Sequence, residues 1–268
     1  MTITIYPNSM LRPNRIDEDF AIESLSSERD YVLYSKEENK LYLRGKSLED
    51  EILFYRGWIL TELEYSNLES LVKSNGGSLY NDSTNYSNAQ FGNRWIKSFE
   101  IFTPKTIVLP YASSAEEFVK ASETLNSDSF ILKGVSKSLK HDWENSMFAD
   151  NATRIPLILE NFRNQVTIEE EPELLLREFE NWLPGEIRSW WFNSESAGYD
   201  YHPQSPEFEY DKSSLEGFLS SLQDSVKSLS NALTIDVVRD VNGVWRIVEV
   251  GSASVSEARE DFNQYFKF

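Results

Sequence analysis

The sequence predicts a mixed α+β protein, and three observations predict it. Up to about Phe102, short β-type runs alternate with an amphipathic helical stretch. After residue 105 the order becomes helix, strand, basic loop, two strands, helix and acidic hairpin, which is not the order of a doubly wound sheet. Of the 268 residues, 40% are hydrophobic, enough to bury a substantial core.

Taken in order, TITIY (2–6) has the composition of a short strand, and YVLY and LYL, within Asp30–Leu43, flank a polar turn. ILFYRGW (52–58) is a strand closed by Gly57. From Thr61 to Ser74, Leu63, Leu68, Leu71 and Val72 are spaced for one helical face, and Asn75-Gly76-Gly77 ends the helix. Thr103-Pro104 marks a boundary, giving an N-terminal α/β domain over residues 1–103 and a second domain over 104–268. In the latter, Ala115–Leu125 is helical, SFILK (129–133) is a strand, and GVSKSLKHD is a loop. Glu169-Glu170-Glu171-Pro172 is expected to be a solvated acidic connector. LLLREFE (174–180) and EIRSWWF (186–192), separated by Pro184-Gly185, are strands. Ser213–Leu229 is helical, and the tail EAREDFNQYFKF is a final helix.

The composition excludes several chemistries. No Cys is present, which removes disulfides, thiolate catalysis and thiolate-bound zinc, while His141 and His202 are too few and too far apart for a His-rich metal site. Any metal is expected to be a hard cation held by carboxylates. A net charge of −18 argues against an extended nucleic-acid surface, and makes any convergence of Lys and Arg a candidate anion site. No apolar run is long enough for a membrane span and the N-terminus lacks the pattern of a secretory signal, so a cytoplasmic location is expected. Neither a GxxxxGK[ST] phosphate loop nor a GxGxxG motif is present. His141-Asp142 lacks the G-x-S-x-G elbow a nucleophilic triad would need.

Four constellations carry chemistry. In DVVRDVNGVWRIVE (236–249), Asn242-Gly243 fits a two-residue hairpin turn, which would set Val241 against Val244 and Asp236 against Glu249. Two facing carboxylates repel unless a proton or cation relieves them, so the hairpin is either a divalent-ion site or an exposed ribbon that tolerates the charges. In FILKGVSKSLKHDW (130–143), Lys133, Lys137 and Lys140 form either a phosphate cradle or a solvated basic loop. Alternation in EIRSWWF puts Glu186, Arg188, Trp190 and Phe192 on one face, where Arg188 needs an anionic partner, from a ligand or from the protein. Arg56-Gly57-Trp58 in FYRGWIL (54–60) is a sharp turn after a strand.

In order and spacing, FYRGWIL, FILKGVSKSLKHDW, LLLREFE, GEIRSWWF and TIDVVRDVNGVWRIVEVGSASVS resemble the ATP-grasp superfamily. More narrowly, they resemble its small clade marked by an arginine and two lysines, found in bacteria and their phages. The resemblance covers about residues 50–255. It implies a pre-ATP-grasp N-terminal domain and two α+β lobes, about 104–173 and 174–268, enclosing nucleotide. Carried over, Lys133 would bind the α/β-phosphates and Lys137 and Lys140 would belong to a mobile loop. Leu176, Arg177, Glu178 and Phe179 would form the adenine-facing segment. Arg188 would face phosphate and acyl-phosphate, and Asp236 and Glu249 would be the Mg²⁺ carboxylates. Many family members have Asn two residues after the metal-binding Glu; here Gly251 stands there, leaving Ser252 or water to complete the shell. The implied activity is an ATP- and Mg²⁺-dependent ligase joining a small-molecule or peptide carboxylate to an amine or thiol, with catalysis by Arg188, Lys137 and Lys140 and with Arg56 in a substrate pocket. The alternatives are a degenerate nucleotide-binding or interaction protein, favoured by Gly251, and an ATP-dependent phosphotransferase.

Overall fold

The computed structural model describes residues 3–12, 14–21, 23, 30–136, 138–259 and 262–266. Its principal elements begin with β1 (Ile3–Pro7), β2 (Tyr31–Ser35), β3 (Lys40–Tyr42), β4 (Ile52–Tyr55), α1 (Glu62–Ser74), β5 (Ser78–Leu79) and α2 (Ser83–Gln90). Next come β6 (Thr106–Pro110), α3 (Ala115–Ser122), β7 (Phe130–Gly134), β8 (Phe148–Ala149), α4 (Ile155–Arg163) and β9 (Glu173–Glu178). Last are β10 (Ile187–Phe192), β11 (Glu195–Tyr201), α5 (Lys212–Ser221), β12 (Ala232–Arg239) and β13 (Trp245–Ser252). The strands form three sheets, ordered β3-β2-β1-β4-β5, β6-β9-β7-β8 and β11-β10-β12-β13. Among the described residues, no helix is long and apolar enough to cross a membrane.

The chain does not divide once along its length. One compact unit comprises Met1–Ala89, Glu186–Asp236 and Gly251–Phe268; the other comprises Gln90–Gly185 and Val237–Val250. In the first, β1 runs parallel to both β2 and β4, and every residue of β1 is buried, as a central parallel strand requires. A capping box starts α1: the Glu64 amide donates to the Thr61 hydroxyl and the Thr61 amide to the Glu64 carboxylate. Asn81 ties this sheet to the start of β12, donating to the Ala232 carbonyl at 2.7 Å and accepting from its amide at 2.9 Å. An aromatic cluster of Phe54, Trp190, Phe192, Phe262 and Phe266 fills the same unit.

The tail contributes two of those rings without forming the helix expected of it. Its regular structure within the described residues is one 3-10 turn, Phe262–Gln264, because Phe262 and Phe266 turn inward against Phe54 rather than continuing a helical repeat. The helix expected over Ser213–Leu229 is likewise two pieces, α5 and Gln223–Lys227, meeting at Leu222.

In the second unit, β6-β9-β7-β8 is antiparallel throughout, and α3 and α4 cover one face. Phe130, Leu132, Leu174 and Leu176 point into that core with Phe118, Ile158 and Phe162. By strand alternation Lys133, Leu175 and Arg177 occupy the other face, with Lys133 registered on Leu175 and Arg177 on Ile131, which also packs with the core. The core of this unit therefore decides which face carries the charges. Phe162→Ala is expected to cost about 3–5 kcal/mol by cavity formation, read as a lowered urea midpoint.

Candidate functional site

On the face of the second unit's sheet opposite its helices, three charged side chains converge. Lys133 on β7 is 7% exposed, and its Nζ lies 3.2 Å from Glu249 Oε1 on β13. Arg177 on β9 donates from Nε to Thr106 Oγ1 at 3.1 Å and from Nη1 to the Val248 carbonyl at 2.8 Å, with its guanidinium 5.7 Å from the Trp95 ring centroid. Its Nη2 is buried and has no hydrogen-bond partner among the described residues. Burial lowers Lys133, as does the neighbouring Arg177 charge, while Glu249 pulls it back up. Arg177 is lowered to about 10, again chiefly by burial. Burial would raise the Glu249 carboxyl, but Lys133, Lys140 and Arg177 outweigh it and hold it down to about 2. The cluster is a stable carboxylate inside a cationic field, with a guanidinium N–H still to be used.

The loop after Lys133 is anchored by a residue whose role the sequence hides. Glu171, expected in a solvated connector, is fully buried and accepts from the Ser136 amide at 3.1 and 3.2 Å and from the Ser136 hydroxyl at 2.5 Å. Burial raises its carboxyl, and the bonds to Ser136 and Val135 oppose the rise. Only Glu169 and Glu170 of that acidic run are exposed; position 171, next to Pro172, turns inward to satisfy loop donors. Lys140 opens a short 3-10 turn and is exposed, near enough to act on both Lys133 and Glu249. Lys137 lies outside the described residues.

A second cluster lies wholly in the first unit. Arg188 on β10 grips Asp236 on β12 with two bonds, Nε to Oδ1 at 2.8 Å and Nη2 to Oδ2 at 2.7 Å, and donates from Nη1 to the Glu257 carbonyl at 2.8 Å. Asp236 is thus the anionic partner that Arg188 needs from the sequence. Glu186 and His202 join it: these two and Asp236 offer ligand atoms within 4.8 Å of one another. Sequence spacing carries no signal for this, since His202 arrives through the pairing of β10 with β11. His202 Nδ1 accepts the Gln204 amide at 3.2 Å, which assigns the proton to Nε2, 4.0 Å from Asp236 Oδ2. In that tautomer His202 presents a donor toward the carboxylate and not a lone pair for a metal.

The hairpin turn differs from the one expected. Asp240 accepts the Gly243 amide at 2.9 Å and bonds from its own amide to the Val244 carbonyl at 2.8 Å, so the loop holds three residues and Val241 does not oppose Val244. The Asp240 carboxylate is the cause: it accepts the Asn242 and Val244 amides, both at 2.8 Å, leaving a positive φ only at Gly243 (83°). At the other end the Ala253 amide reaches the Ala232 carbonyl at 3.3 Å, one step out of register with the Asp240–Val244 pair, so β13 carries an extra residue. Its buried positions change phase accordingly, from Trp245 and Ile247 to Val250 and Ser252.

Other sequence-marked residues are placed less openly. Arg56 is 3% exposed: Nε and Nη2 bond Glu23 at 3.0 and 2.6 Å, Nη1 bonds the Ala253 and Ser256 carbonyls at 2.8 and 2.9 Å, and the guanidinium stacks on Phe262. With each nitrogen engaged, it clamps elements of the first unit together. Ser252 is fully buried, with its hydroxyl accepting the Ser254 amide at 3.3 Å and the Asn81 side chain at 3.4 Å. Of the segment 176–179, Leu176 is core, Glu178 accepts the Asn126 amide at 2.6 Å, and Phe179 packs edge-on to Phe148. Only Arg177 sends its side chain to the charged face.

Residues 115–264 match the family model described as an ATP-grasp domain, family 3 of the clade marked by an arginine and two lysines. No curated protein matches the chain. Among solved structures, a RimK domain ATP-grasp protein from Sphaerobacter thermophilus superposes with a TM-score of 0.62 at 14% identity, covering 94% of this chain and 91% of that one. A D-alanine-D-alanine ligase from Coxiella burnetii gives a TM-score of 0.65 at 9% identity, with 94% and 85% covered. The D-alanine–D-alanine ligase from Bacillus anthracis complexed with ATP gives 0.60 at 12% identity, with 94% and 84% covered. At these identities the likeness is one of fold, and it agrees with the mixed α+β architecture of the three sheets.

The depressed Glu249 carboxyl makes a pH prediction. Its folded value of about 2 lies below the ordinary 4.5, so the stability it contributes is complete above about 4.5 and is lost as pH falls toward 2. Urea denaturation should show the stability gap between the unaltered protein and Glu249→Gln shrinking across that window, and staying constant above it.

Proposed function

Because the chain belongs to the ATP-grasp domains, in family 3 of the arginine-and-two-lysines clade, we propose that it is an ATP- and Mg²⁺-dependent ligase joining a carboxylate to an amine or thiol through an acyl-phosphate. The observation that carries this reading is the cluster of Lys133, Arg177 and Glu249, a cationic face with an unfilled guanidinium N–H and one persistent carboxylate. Such a face suits an anion that brings its own divalent ion: Lys133 and Arg177 would take phosphate oxygens, and Glu249 would be free to hold the metal.

In the reaction, a substrate carboxylate oxygen attacks the γ-phosphorus of ATP, the bridging bond to the β-phosphate breaks, and ADP leaves. The amine or thiol then attacks the acyl carbon, phosphate departs with the C–O electrons, and the nucleophile's proton passes to solvent. Lys133 and Arg177 neutralise charge on the phosphates of the nucleotide, Lys140 adds to that field, and the family resemblance assigns Lys137 the same role. Arg188, already shaped for bidentate recognition by its grip on Asp236, holds the transferred phosphoryl. Glu249, and in the other unit Asp236, are hard oxygen donors of the kind Mg²⁺ takes, and the ion would supply neutralisation of phosphate charge. Ser252, with its hydroxyl engaged, leaves a remaining position to water. The chemistry requires no protein nucleophile.

A second reading, a nucleotide binder without turnover, is favoured by Gly251 at the position where many family members carry Asn and by the enclosure of Ser252. Dependence of ADP release on an added acid plus amine supports the ligase, dependence on a single acceptor supports a phosphotransferase, and binding with no release in any mixture supports the binder.

Calorimetry with ATP tests the site. Lys133→Met should weaken ATP by about tenfold to a hundredfold, the loss of a charge-assisted bond, with circular dichroism unchanged. Asp236→Asn should abolish the gain in affinity that Mg²⁺ confers. Unchanged ATP affinity in the first variant, or unchanged Mg²⁺ dependence in the second, overturns the assignment.

A further inference from the structure

At the carboxyl ends of the parallel strands β1, β2 and β4 the first unit holds a cleft of about 110 Å³, or about 460 Å³ with its open mouth. The chain leaves β1 for β2 on one side and places β4 on the other, the arrangement in which open α/β sheets take ligands. Tyr34, Tyr55, Trp58 and Leu60 supply the walls, and Asp17, Lys36 and Glu37 stand among the lining residues. Gly57 makes the wall possible: a Cβ there would lie 2.4 Å from the Tyr55 hydroxyl oxygen, and the chain instead turns back so that this hydroxyl donates to the Trp58 carbonyl at 2.9 Å. Trp58 is left 48% exposed, braced edge-on by Phe20 at 5.2 Å.

Two features point to a ligand. Tyr34 is 3% exposed, and its buried hydroxyl has no hydrogen-bond partner among the described residues, whereas that of Tyr55 is satisfied. Burial, then the Glu64 and Glu37 carboxylates, push the Tyr34 phenol up to about 12, so it stays protonated and sits in a negative field. Lys36, the cation of the lining, lies 3.8 Å from Glu64, which leaves Asp17 and Glu37 to set the sign of the mouth.

We propose that this cleft binds a primary amine with a compact apolar or aromatic body, the nucleophile of the ligation. The ammonium meets Asp17 and Glu37, the body lies against Tyr55 and Trp58, and the Tyr34 hydroxyl supplies the hydrogen bond it lacks in the free protein. The site of binding stands on the cleft alone; the role as nucleophile rests on the ligase reading.

The test uses the full chain, phenethylamine as probe and 3-phenylpropionate as an anion of similar shape, followed by tryptophan fluorescence and calorimetry. Saturable binding of phenethylamine, weakened at least fivefold by Tyr34→Phe and by Trp58→Ala, with 3-phenylpropionate at least tenfold weaker, supports the proposal. Each variant should keep the ATP affinity of the unaltered protein. Absence of saturable amine binding, equal binding of the anion, or amine binding indifferent to both substitutions overturns it, and if ATP still binds, the ligase reading survives that failure. Amine binding that follows the expected pattern while ATP fails to bind sustains the cleft and overturns the ligase reading instead.

Discussion

Burying a carboxylate costs free energy unless a cation or hydrogen-bond donors accompany it, and both acids of the late hairpin meet that requirement inside their own unit. Asp236 is held by the two-pronged grip of Arg188, and Glu249 by Lys133 within a field that Arg177 and Lys140 strengthen. Each pair aims its cation, and the Lys133 field holds the Glu249 carboxyl below its ordinary range. Under the proposed function, an incoming phosphate would replace the acid as partner of the cation, and a divalent ion would replace the cation as partner of the acid. An ion pair that exchanges both members for a metal–phosphate pair avoids stranding an uncompensated charge, which would be the costly outcome.

Sheet alternation delivers these groups. In the second unit, the apolar core under α3 and α4 claims Phe130, Leu132, Leu174 and Leu176, and that choice sends Lys133 and Arg177 to the opposite face. Buried Glu171 then fixes where the loop after Lys133 begins. In the first unit, Trp190 and Phe192 join an aromatic core while Arg188, on the same face of β10, reaches Asp236. Packing energy and site geometry are therefore set by the same strands.

Much of this was legible from the residues. The runs TITIY, YVLY, ILFYRGW, SFILK, LLLREFE and EIRSWWF overlap β1, β2, β4, β7, β9 and β10. The family resemblance agrees with the match over residues 115–264. What stayed hidden depends on contacts distant in sequence or on side chains serving the backbone. Helix α4 carries Pro156 in its first turn, where proline is favoured although it disrupts a helix interior, so the residue alone does not mark the element. The Asn242-Gly243 signal was overridden by Asp240, whose carboxylate caps two loop amides and lengthens the turn. Glu171 belongs to an acidic run and nothing local distinguishes it from its exposed neighbours. Arg56, a cation after a strand, gives no local sign that its partners include the Ala253 and Ser256 carbonyls, nearly two hundred residues away.

The measurement that bears most directly on this account is a crystal structure grown with ADP and Mg²⁺. It should show the Lys133 ammonium moved from Glu249 to a phosphate oxygen, the Arg177 Nη2 hydrogen bonded to the nucleotide, and the Glu249 carboxylate about 2.0–2.1 Å from an ion. Nucleotide bound elsewhere while Lys133 still grips Glu249, with no ion at that carboxylate, would contradict it.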